Sequence, residues 1–235
     1  MHRDPVTLTT LLSQRFPLRN FELLLAGHTL SLTTAQSMDE LIDRITEDEF
    51  RRDERLPYWA ELWHSSIALA EYIAEHPELT AQRNVLEIGC GLGLPGIIAS
   101  RTGATVTYSD YDNDALLAAE LNHACNASGR EADFILLDYR SAPSRRWEVV
   151  LASDIVYERR MIEPALNFLR AAVSEDGCFI LAEPNRRIAE PFIEGLRAVG
   201  FHVEHSQRRA VFYDRPVEVG LYVGRTLKQD SVTNP

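Results

Sequence analysis

The feature that most constrains this chain is a short apolar run that ends on a carboxylate and then on a series of glycines. Residues 85–96 read Val-Leu-Glu-Ile-Gly-Cys-Gly-Leu-Gly-Leu-Pro-Gly. The apolar run predicts a buried strand, the glycines permit a tight turn close to a ligand, and Pro95 suits the first turn of a following helix. A strand, a glycine loop and a helix N-terminus in this order form a site of nucleotide size.

Two classes of ligand are compatible with this loop. From Gly91 onward the segment satisfies G-x-G-x-x-G, and Asp110 follows at nearly the spacing of the ribose-binding acid in NAD proteins. From Glu87 onward it is E-x-G-x-G-x-G, with glycines at Gly89, Gly91 and Gly93. This second pattern resembles motif I of the class I S-adenosylmethionine-dependent methyltransferases, and it accounts for Glu87, which the NAD interpretation leaves without a role. A glycine turn without a ligand is the remaining alternative.

The composition weighs against the NAD interpretation and limits the possible partners. The only lysine is Lys228, so the chain lacks a P-loop Gly-Lys pair, a Schiff-base lysine and the Tyr-x-x-x-Lys pair of short-chain reductases. A net charge of −11 argues against a nucleic-acid partner and favours a basic protein or a small molecule. The length of 235 residues suits one sizeable α/β domain.

Cysteine usage and hydropathy predict a cytoplasmic protein. Cys90, Cys125 and Cys178 are widely spaced and form no C-x-x-C pair, which is typical of reduced thiols and not of a disulfide framework or a zinc site. The histidines include no H-E-x-x-H pattern, so no metal site is expected. The apolar runs are far shorter than the roughly 20 residues of a membrane helix, and we expect no membrane partner.

Strands and helices alternate from residue 84 onward. This pattern predicts an α/β fold with a doubly wound, mostly parallel seven-stranded sheet of the Rossmann-like type. In such a sheet, ligands bind beyond the carboxyl ends of the strands. The predicted strands are 84–88, 105–110, 133–137, 149–153, 178–183, 202–206 and 217–224, and the predicted helices are 95–101, 113–127, 161–173 and 189–199.

The chain is predicted to have three parts. Residues 1–55 form an N-terminal extension on the lid or substrate side, 56–227 the cofactor-binding domain, and 228–235 a flexible tail. Within the extension, residues 1–14 are expected to be a frayed helix or a mobile arm, and residues 21–32 a β-hairpin. A short helix follows, and Ser37 and Glu40 match a capping box at its start.

Acidic and aromatic side chains follow the ends of the second and third predicted strands. Asp110 is suited to accept both hydroxyls of a ribose, and Tyr111 to pack on adenine. Asp138 is placed to accept the adenine amino group with Tyr139 beside the base, although a plain loop acid is an equal alternative.

Two further segments point to the reacting end of the same site. Asp154 closes the fourth strand over the centre of the sheet, where a methyl group would point, with Ser153 before it and Tyr157 three residues later. The face of Trp63, which precedes a predicted helix, is expected to cover the cofactor, while core packing is an alternative for this aromatic segment.

Four segments together resemble methyltransferase family 16. They are Pro57-Tyr58-Trp59-Ala60-Glu61-Leu62-Trp63, the loop 87–93, Asp138-Tyr139 and Asp154-Ile155-Val156-Tyr157. The likeness spans residues 55–205, and this family of protein-lysine methyltransferases includes the electron-transfer-flavoprotein β-subunit enzyme. The chain departs from the family in two places, since Tyr139 stands where members often have Trp and His64 replaces a frequent Pro.

The resemblance implies S-adenosylmethionine as cofactor and a lysine side chain of a protein as acceptor. The family's D-x-x-Y residues, implicated in substrate placement, correspond to Asp154 and Tyr157. A small-molecule acceptor and a noncatalytic cofactor-binding protein remain as alternatives. The family's cofactor contacts correspond to Trp63, Glu87, Gly89, Gly91, Asp110 and Asp138, and Gly93, Tyr111, Tyr139 and Ser153 are further predicted contacts.

Overall fold

The computed structural model describes residues 3–54 and 56–226. The helices are α1 (Pro5–Ser13), α2 (Met38–Ile42), α3 (Glu47–Asp53), α4 (His64–Glu75), α5 (Leu94–Arg101), α6 (Asn113–Asn126), α7 (Ile162–Ala172) and α8 (Glu190–Ala198). The strands are β1 (Leu18–Leu25), β2 (His28–Ala35), β3 (Asn84–Ile88), β4 (Thr105–Asp110), β5 (Ala132–Leu136), β6 (Trp147–Ser153), β7 (Val173–Glu183), β8 (Phe201–Phe212) and β9 (Arg215–Thr226).

Seven of these strands form one sheet in the order β5-β4-β3-β6-β7-β9-β8. Strands β3 to β7 are parallel, whereas β9 runs antiparallel to both of its neighbours. The predicted doubly wound, mostly parallel sheet is therefore confirmed. The chain progresses outward from β3 to β4 and β5 on one side and to β6 and β7 on the other, so the strand order reverses beside β3. A crevice at such a reversal is the usual ligand site of this fold class.

The buried side chains lie on both faces of the sheet because parallel strands are covered by helices on both sides. Val85 of β3 packs on the side of α4, α5 and α6, whereas Leu86 and Ile88 point to the side of α7 and α8. All three residues are fully buried. The near-continuous apolar run of β3 is thus explained by burial on both faces, which holds its carboxyl end in one place.

Strands β8 and β9 are longer than predicted, with 12 residues each. The sequence pattern marks only residues 202–206 and 217–224, because much of β8 lies at the exposed edge of the sheet and carries charged side chains such as Arg208 and Arg209. Backbone pairing from Phe201 opposite Thr226 to Phe212 opposite Arg215 keeps this polar segment in the sheet.

The N-terminal segment is ordered where the sequence predicts a frayed helix or a mobile arm. Helix α1 begins at an N-cap, since the Asp4 carboxylate accepts hydrogen bonds of 3.0 Å from the N–H groups of Val6 and Thr7. Its side chains Leu8 and Leu12 are buried in the same core as the helices on that side of the sheet. The burial of these two leucines supplies the stability that the short apolar pattern does not reveal.

The rest of the extension follows the sequence pattern. The predicted hairpin is formed by β1 and β2, and the Glu40 N–H donates to Ser37 Oγ at 3.2 Å at the start of α2, as the capping box predicts. Strand β2 is fastened to α6 by Asn122 and Asn126, whose side chains bond to backbone groups of Thr33 and Ser31. The division of the chain at residue 55 stays a prediction, and the predicted tail 228–235 lies outside the described residues. None of the described helices is long and apolar enough to span a membrane.

Candidate active site

A cavity of about 360 Å³ opens at the carboxyl ends of β3, β4 and β6, where the strand order reverses. The glycine loop, residues 58–66, the turn after β6 and the loop after β7 form its walls. This place and size are typical of a small-molecule site. The predicted site residues that line it are Trp63, Gly89, Gly91, Asp110, Tyr111, Tyr139, Ser153, Asp154 and Tyr157.

Left-handed backbone angles explain why glycine stands at positions 89 and 93. These two glycines lie in different places in the loop. The φ angle is +59° at Gly89 and +76° at Gly93, a region that other residues rarely adopt. A Cβ on Gly89 would lie 3.3 Å from Ile155 Cγ2, beside the cavity. At Gly93, the N-cap of α5, a Cβ would lie 3.1 Å from the ring of Tyr108, behind the loop. The structure thus does not place Gly93 among the residues facing the cavity, and its role is to shape the loop.

Glu87 also lies behind the loop, so the structure does not bring this predicted cofactor contact to the cavity lining. Its side chain is buried and accepts a hydrogen bond of 2.9 Å from the N–H of Gly96 in the first turn of α5. A Cβ on Gly96 would lie 2.5 Å from Glu87 Oε2, so only glycine fits there. Burial raises the pKa of Glu87 to about 8, so the carboxyl group is mostly protonated at neutral pH. Glu87 therefore joins the strand to the helix and supports the loop from below.

Asp110 ends β4 with its carboxylate under the glycine loop. The Gly91 N–H donates to Oδ2 and the Asp112 N–H to Oδ1, both at 3.1 Å. Burial raises the pKa of Asp110 to about 6, so the carboxylate is mostly ionised at neutral pH. Its neighbour Tyr111 lines the cavity and donates its hydroxyl to the Leu56 carbonyl at 3.3 Å.

Asp138 and Tyr139 follow β5, and only the tyrosine reaches the cavity wall. The hydroxyl of Tyr139 donates to the Ile155 carbonyl at 2.7 Å, which ties this loop to the turn after β6. The carboxylate of Asp138 pairs with the Arg140 guanidinium at 2.7 Å, and Asp138 is absent from the cavity lining. The structure thus does not bring Asp138 to the cavity, because its side chain turns toward its own loop.

The turn after β6 presents Asp154 and Tyr157 at the other end of the cavity. Asp154 has a left-handed φ of +60°, and its N–H donates to the Ala182 carbonyl of β7 at 3.0 Å. Such strain in a non-glycine residue is characteristic of functional sites. The ring of Tyr157 meets that of Tyr58 edge to face, with centroids 5.1 Å apart. The D-x-x-Y residues therefore share one wall of the cavity.

Arg186 is a cavity residue that the sequence patterns do not reveal. Its guanidinium forms a two-pronged ion pair with the Asp154 carboxylate, in which Nη1 meets Oδ1 and Nη2 lies 3.2 Å from Oδ2. Nη1 is also 3.9 Å from Glu183, whose pKa burial raises to about 7. The signal in the sequence is the Glu-Pro-Asn-Arg segment that ends β7, but nothing in it indicates that the arginine turns back toward β6.

Aromatic side chains from residues 58–63 close the cavity on the remaining side. Trp63 is the N-cap residue of α4 and donates its indole N–H to the Tyr58 carbonyl at 2.8 Å. Trp59 lines the cavity and packs on Phe16 of the extension with ring centroids 5.5 Å apart. Trp59 is also part of the hydrophobic core, and Trp63 lines the cavity, where a cover for the cofactor stays a prediction.

No group of His, Cys, Asp and Glu side chains in the described residues is arranged to hold a metal ion. The cavity instead combines carboxylates, one guanidinium and aromatic rings. Such a set can bind hydroxyl groups, a planar base and an organic cation through hydrogen bonds, stacking and ion pairing.

Comparisons with known proteins identify relatives of this chain. The electron transfer flavoprotein beta subunit lysine methyltransferase of Danio rerio is 30% identical over 132 residues, which cover 55% of this chain and 51% of the relative. EEF1A lysine methyltransferase 3 of Mus musculus is 29% identical over 177 residues, covering 73% of this chain and 74% of the relative. The chain spans about half the length of the first curated relatives it matches.

Comparison with a solved structure identifies the fold, and comparison with a family profile identifies the family. The 16S rRNA N2 G1207 methyltransferase of T. thermophilus, solved with AdoMet and guanosine, superimposes with a TM-score of 0.63 at 16% identity, covering 90% of this chain and 51% of that one. At this identity the likeness concerns the fold alone. The sequence profile described as "Lysine methyltransferase", family 16, matches residues 50–198, which is more than half of the chain. The chain therefore belongs to the lysine methyltransferase family 16, as the four segments indicate.

Proposed function

We propose that this protein transfers a methyl group from S-adenosylmethionine to a lysine side chain of a protein substrate. Membership of family 16 supports the reaction class. The observation that carries the proposal is the position of Asp110, an ionisable carboxylate buried directly under the glycine loop at the reversal of the strand order. This carboxylate suits the hydroxyls of a ribose, and membership of family 16 favours S-adenosylmethionine over a dinucleotide as the molecule that carries the ribose.

The donor set of the cavity fits this cofactor. The Asp110 carboxylate offers about four lone-pair positions, of which two accept the N–H groups of Gly91 and Asp112. Positions not used by these backbone groups can accept the hydroxyls of a ribose. The rings of Tyr111, Tyr139 and Trp63 line the same cavity and offer flat surfaces for adenine.

At the other end, the chain's own residues can receive an amine. When bound, S-adenosylmethionine supplies an electrophilic methyl group on a sulfonium. Tyr58 and Tyr157, whose rings touch edge to face, can together form one apolar wall for the methylenes of a lysine side chain. Asp154 lines the same cavity, and both of its oxygens face the Arg186 guanidinium. A lysine ammonium, with a pKa of roughly 10.4, must lose its proton before attack. Partial burial favours the neutral amine, and alignment supplies most of the rate increase.

Several finer aspects belong to the same proposal. A basic acceptor surface would suit the net charge of −11. The names of two relatives suggest acceptors to try first, the electron transfer flavoprotein beta subunit and EEF1A. The cytoplasmic location and the lack of a nucleic-acid partner stay predictions from the sequence.

The decisive experiment incubates the purified protein with methyl-labelled S-adenosylmethionine and, separately, the two candidate acceptors and a cell extract. We expect label in protein bands, and mass spectrometry should locate it on lysine side chains. The Asp110→Asn variant serves as the control for background labelling. Label found only in the low-molecular-mass filtrate would replace the protein acceptor with a small molecule. Absence of S-adenosylhomocysteine binding by calorimetry would overturn the cofactor assignment itself.

A further inference from the structure

The ion pair between Asp154 and Arg186 uses both oxygens of the carboxylate that the D-x-x-Y pattern assigns to acceptor placement. Nη1 of the guanidinium meets Oδ1, and Nη2 lies 3.2 Å from Oδ2. The Asp154 side chain is only 10% exposed, so water offers it little alternative solvation. Among the residues that the structure describes, the other donor near this carboxylate is Ser65 Oγ, 3.5 Å from Oδ2. An incoming ammonium thus meets a carboxylate that already holds a cation.

The backbone that carries Arg186 is fixed, while its side chain is only partly buried. Asn185 has a left-handed φ of +58° and donates to the Glu218 carbonyl at 2.9 Å, which anchors the loop to the β8–β9 hairpin. The Arg186 N–H donates to Glu183 Oε2 at 2.9 Å. The Arg186 side chain is 33% exposed, although Nη1, the atom that meets Asp154, is itself buried. The exposed part of the side chain lies at the surface, so rotation about its own bonds can carry the guanidinium outward.

We propose that the guanidinium of Arg186 occupies, in the acceptor-free protein, the position on Asp154 that an acceptor's ammonium or amine takes, and that the acceptor must displace it. This inference rests on the proposed function. Two cations at one carboxylate repel each other strongly in a partly buried site. A free amine therefore gains little by entering, whereas an acceptor held by further contacts outside the cavity can displace the guanidinium. Arg186 is in this sense a specificity-determining residue.

The charges around Arg186 agree with a displaceable cation. Asp154 and Glu183 approach the guanidinium from β6 and β7, and the Tyr58 hydroxyl belongs to the facing aromatic segment. Burial lowers the pKa of Arg186, in keeping with a cation that is partly desolvated where it stands. Moving the guanidinium outward restores its hydration, and the acceptor's cation then replaces it beside Asp154.

The test measures the binding of n-butylammonium, which has the methylenes and the charge of a lysine side chain. Each protein is saturated with S-adenosylhomocysteine and titrated with n-butylammonium chloride at neutral pH, and NMR chemical shifts report the dissociation constant. Removal of Arg186 leaves a buried carboxylate unpaired, so we expect Arg186→Met to bind n-butylammonium roughly tenfold or more tightly than the wild type. Arg186→Gln is a second neutral variant, in case Arg186→Met does not fold.

Three controls assign any gain to the Asp154 position. Arg186→Lys keeps a cation on Asp154 and should bind like the wild type. The double variant Arg186→Met with Asp154→Asn should lose the gain, and 1-butanol, which lacks the charge, should bind all variants alike. An unchanged or weaker dissociation constant in both neutral variants, or a gain that persists in the double variant, would overturn the inference. Failure of the wild type to bind S-adenosylhomocysteine would instead count against the proposed function.

Discussion

The carboxylate of Asp110 accepts a hydrogen bond of 3.1 Å from the backbone N–H of Gly91 and thereby holds the glycine loop against the end of β4. One side chain thus organises the loop and also faces the cavity that the loop encloses. Because the φ of Gly91 is +50°, the loop depends on this residue for its turn and on Asp110 for its position.

The Asp110→Asn substitution should weaken S-adenosylhomocysteine binding by roughly tenfold or more, because a neutral amide accepts hydroxyl hydrogen bonds less strongly than a carboxylate. The new amide also risks placing a donor against the Gly91 N–H. Calorimetric titration at neutral pH measures the effect, with thermal unfolding to check the fold. Asp138→Asn is the matched control. Since Asp138 pairs with Arg140 outside the cavity lining, we expect its loss to stay within about threefold. A larger loss at Asp138 than at Asp110 would contradict this assignment.

The buried carboxyl group of Glu87 should make stability depend on pH. Burial raises the pKa of Glu87 from 4.5 to about 8. The folded state therefore keeps a proton that the unfolded chain releases, and stability falls as the pH rises through this window. Between about pH 5 and about pH 8, the wild type should lose on the order of 3 kcal/mol more than Glu87→Gln. Urea unfolding at both pH values checks this. The exposed Glu194→Gln control should keep the wild-type slope, whereas parallel pH profiles of wild type and Glu87→Gln would contradict the prediction.

Sequence patterns suffice to predict that Asp110 and Asp154 lie in one site. Each follows a buried strand, and the carboxyl ends of parallel strands meet at one edge of a sheet. The glycine loop is likewise predictable, because the spacing of its glycines reflects local backbone angles. The cavity confirms that these elements are neighbours.

The orientation of side chains at the strand ends cannot be predicted from such sequence patterns. Glu87 turns under the loop because the Gly96 N–H lies there, and Asp138 turns to Arg140. Arg186 reaches Asp154 across 32 residues of chain through a loop whose shape depends on the β8–β9 hairpin. Such contacts follow from tertiary packing, and no local spacing encodes them.

Two substitutions of Tyr139 should distinguish the role of its hydroxyl group, which holds the turn carrying Asp154, from the role of its ring in cofactor binding. Tyr139→Phe removes the 2.7 Å hydrogen bond to the Ile155 carbonyl but keeps the ring. We expect a stability loss of about 1 kcal/mol, S-adenosylhomocysteine affinity within about threefold of wild type, and slower methyl transfer because the turn carrying Asp154 is less firmly held. Tyr139→Ala also removes the ring and should weaken S-adenosylhomocysteine binding. Urea unfolding, calorimetry and labelling of the identified acceptor measure the three quantities. Equal affinities of the Phe and Ala variants would exclude the ring from the cofactor site.

Asn122 should prove to be a structural link between the extension and the glycine loop. This buried side chain accepts from the Thr33 N–H at 2.7 Å and donates to the carbonyls of Thr33 and Leu92, both at 3.1 Å. Asn122→Ala leaves these backbone groups unpaired in the interior and should cost about 2–4 kcal/mol in the free energy of unfolding. It should also weaken S-adenosylhomocysteine binding, because Leu92 lies in the loop.

Asn126, one turn further along α6, provides the matched control. It forms the same type of bridge, accepting from the Ser31 N–H at 2.8 Å and donating to the Ser31 carbonyl at 2.7 Å, but at the exposed surface. Water can replace its hydrogen bonds, so Asn126→Ala should cost about 1 kcal/mol or less and leave cofactor affinity unchanged. Urea unfolding and calorimetric titration of both variants test the difference. A loss of about 1 kcal/mol or less in both variants would contradict the prediction and would mean that the hydrogen bonds of Asn122 do not hold the extension to the loop.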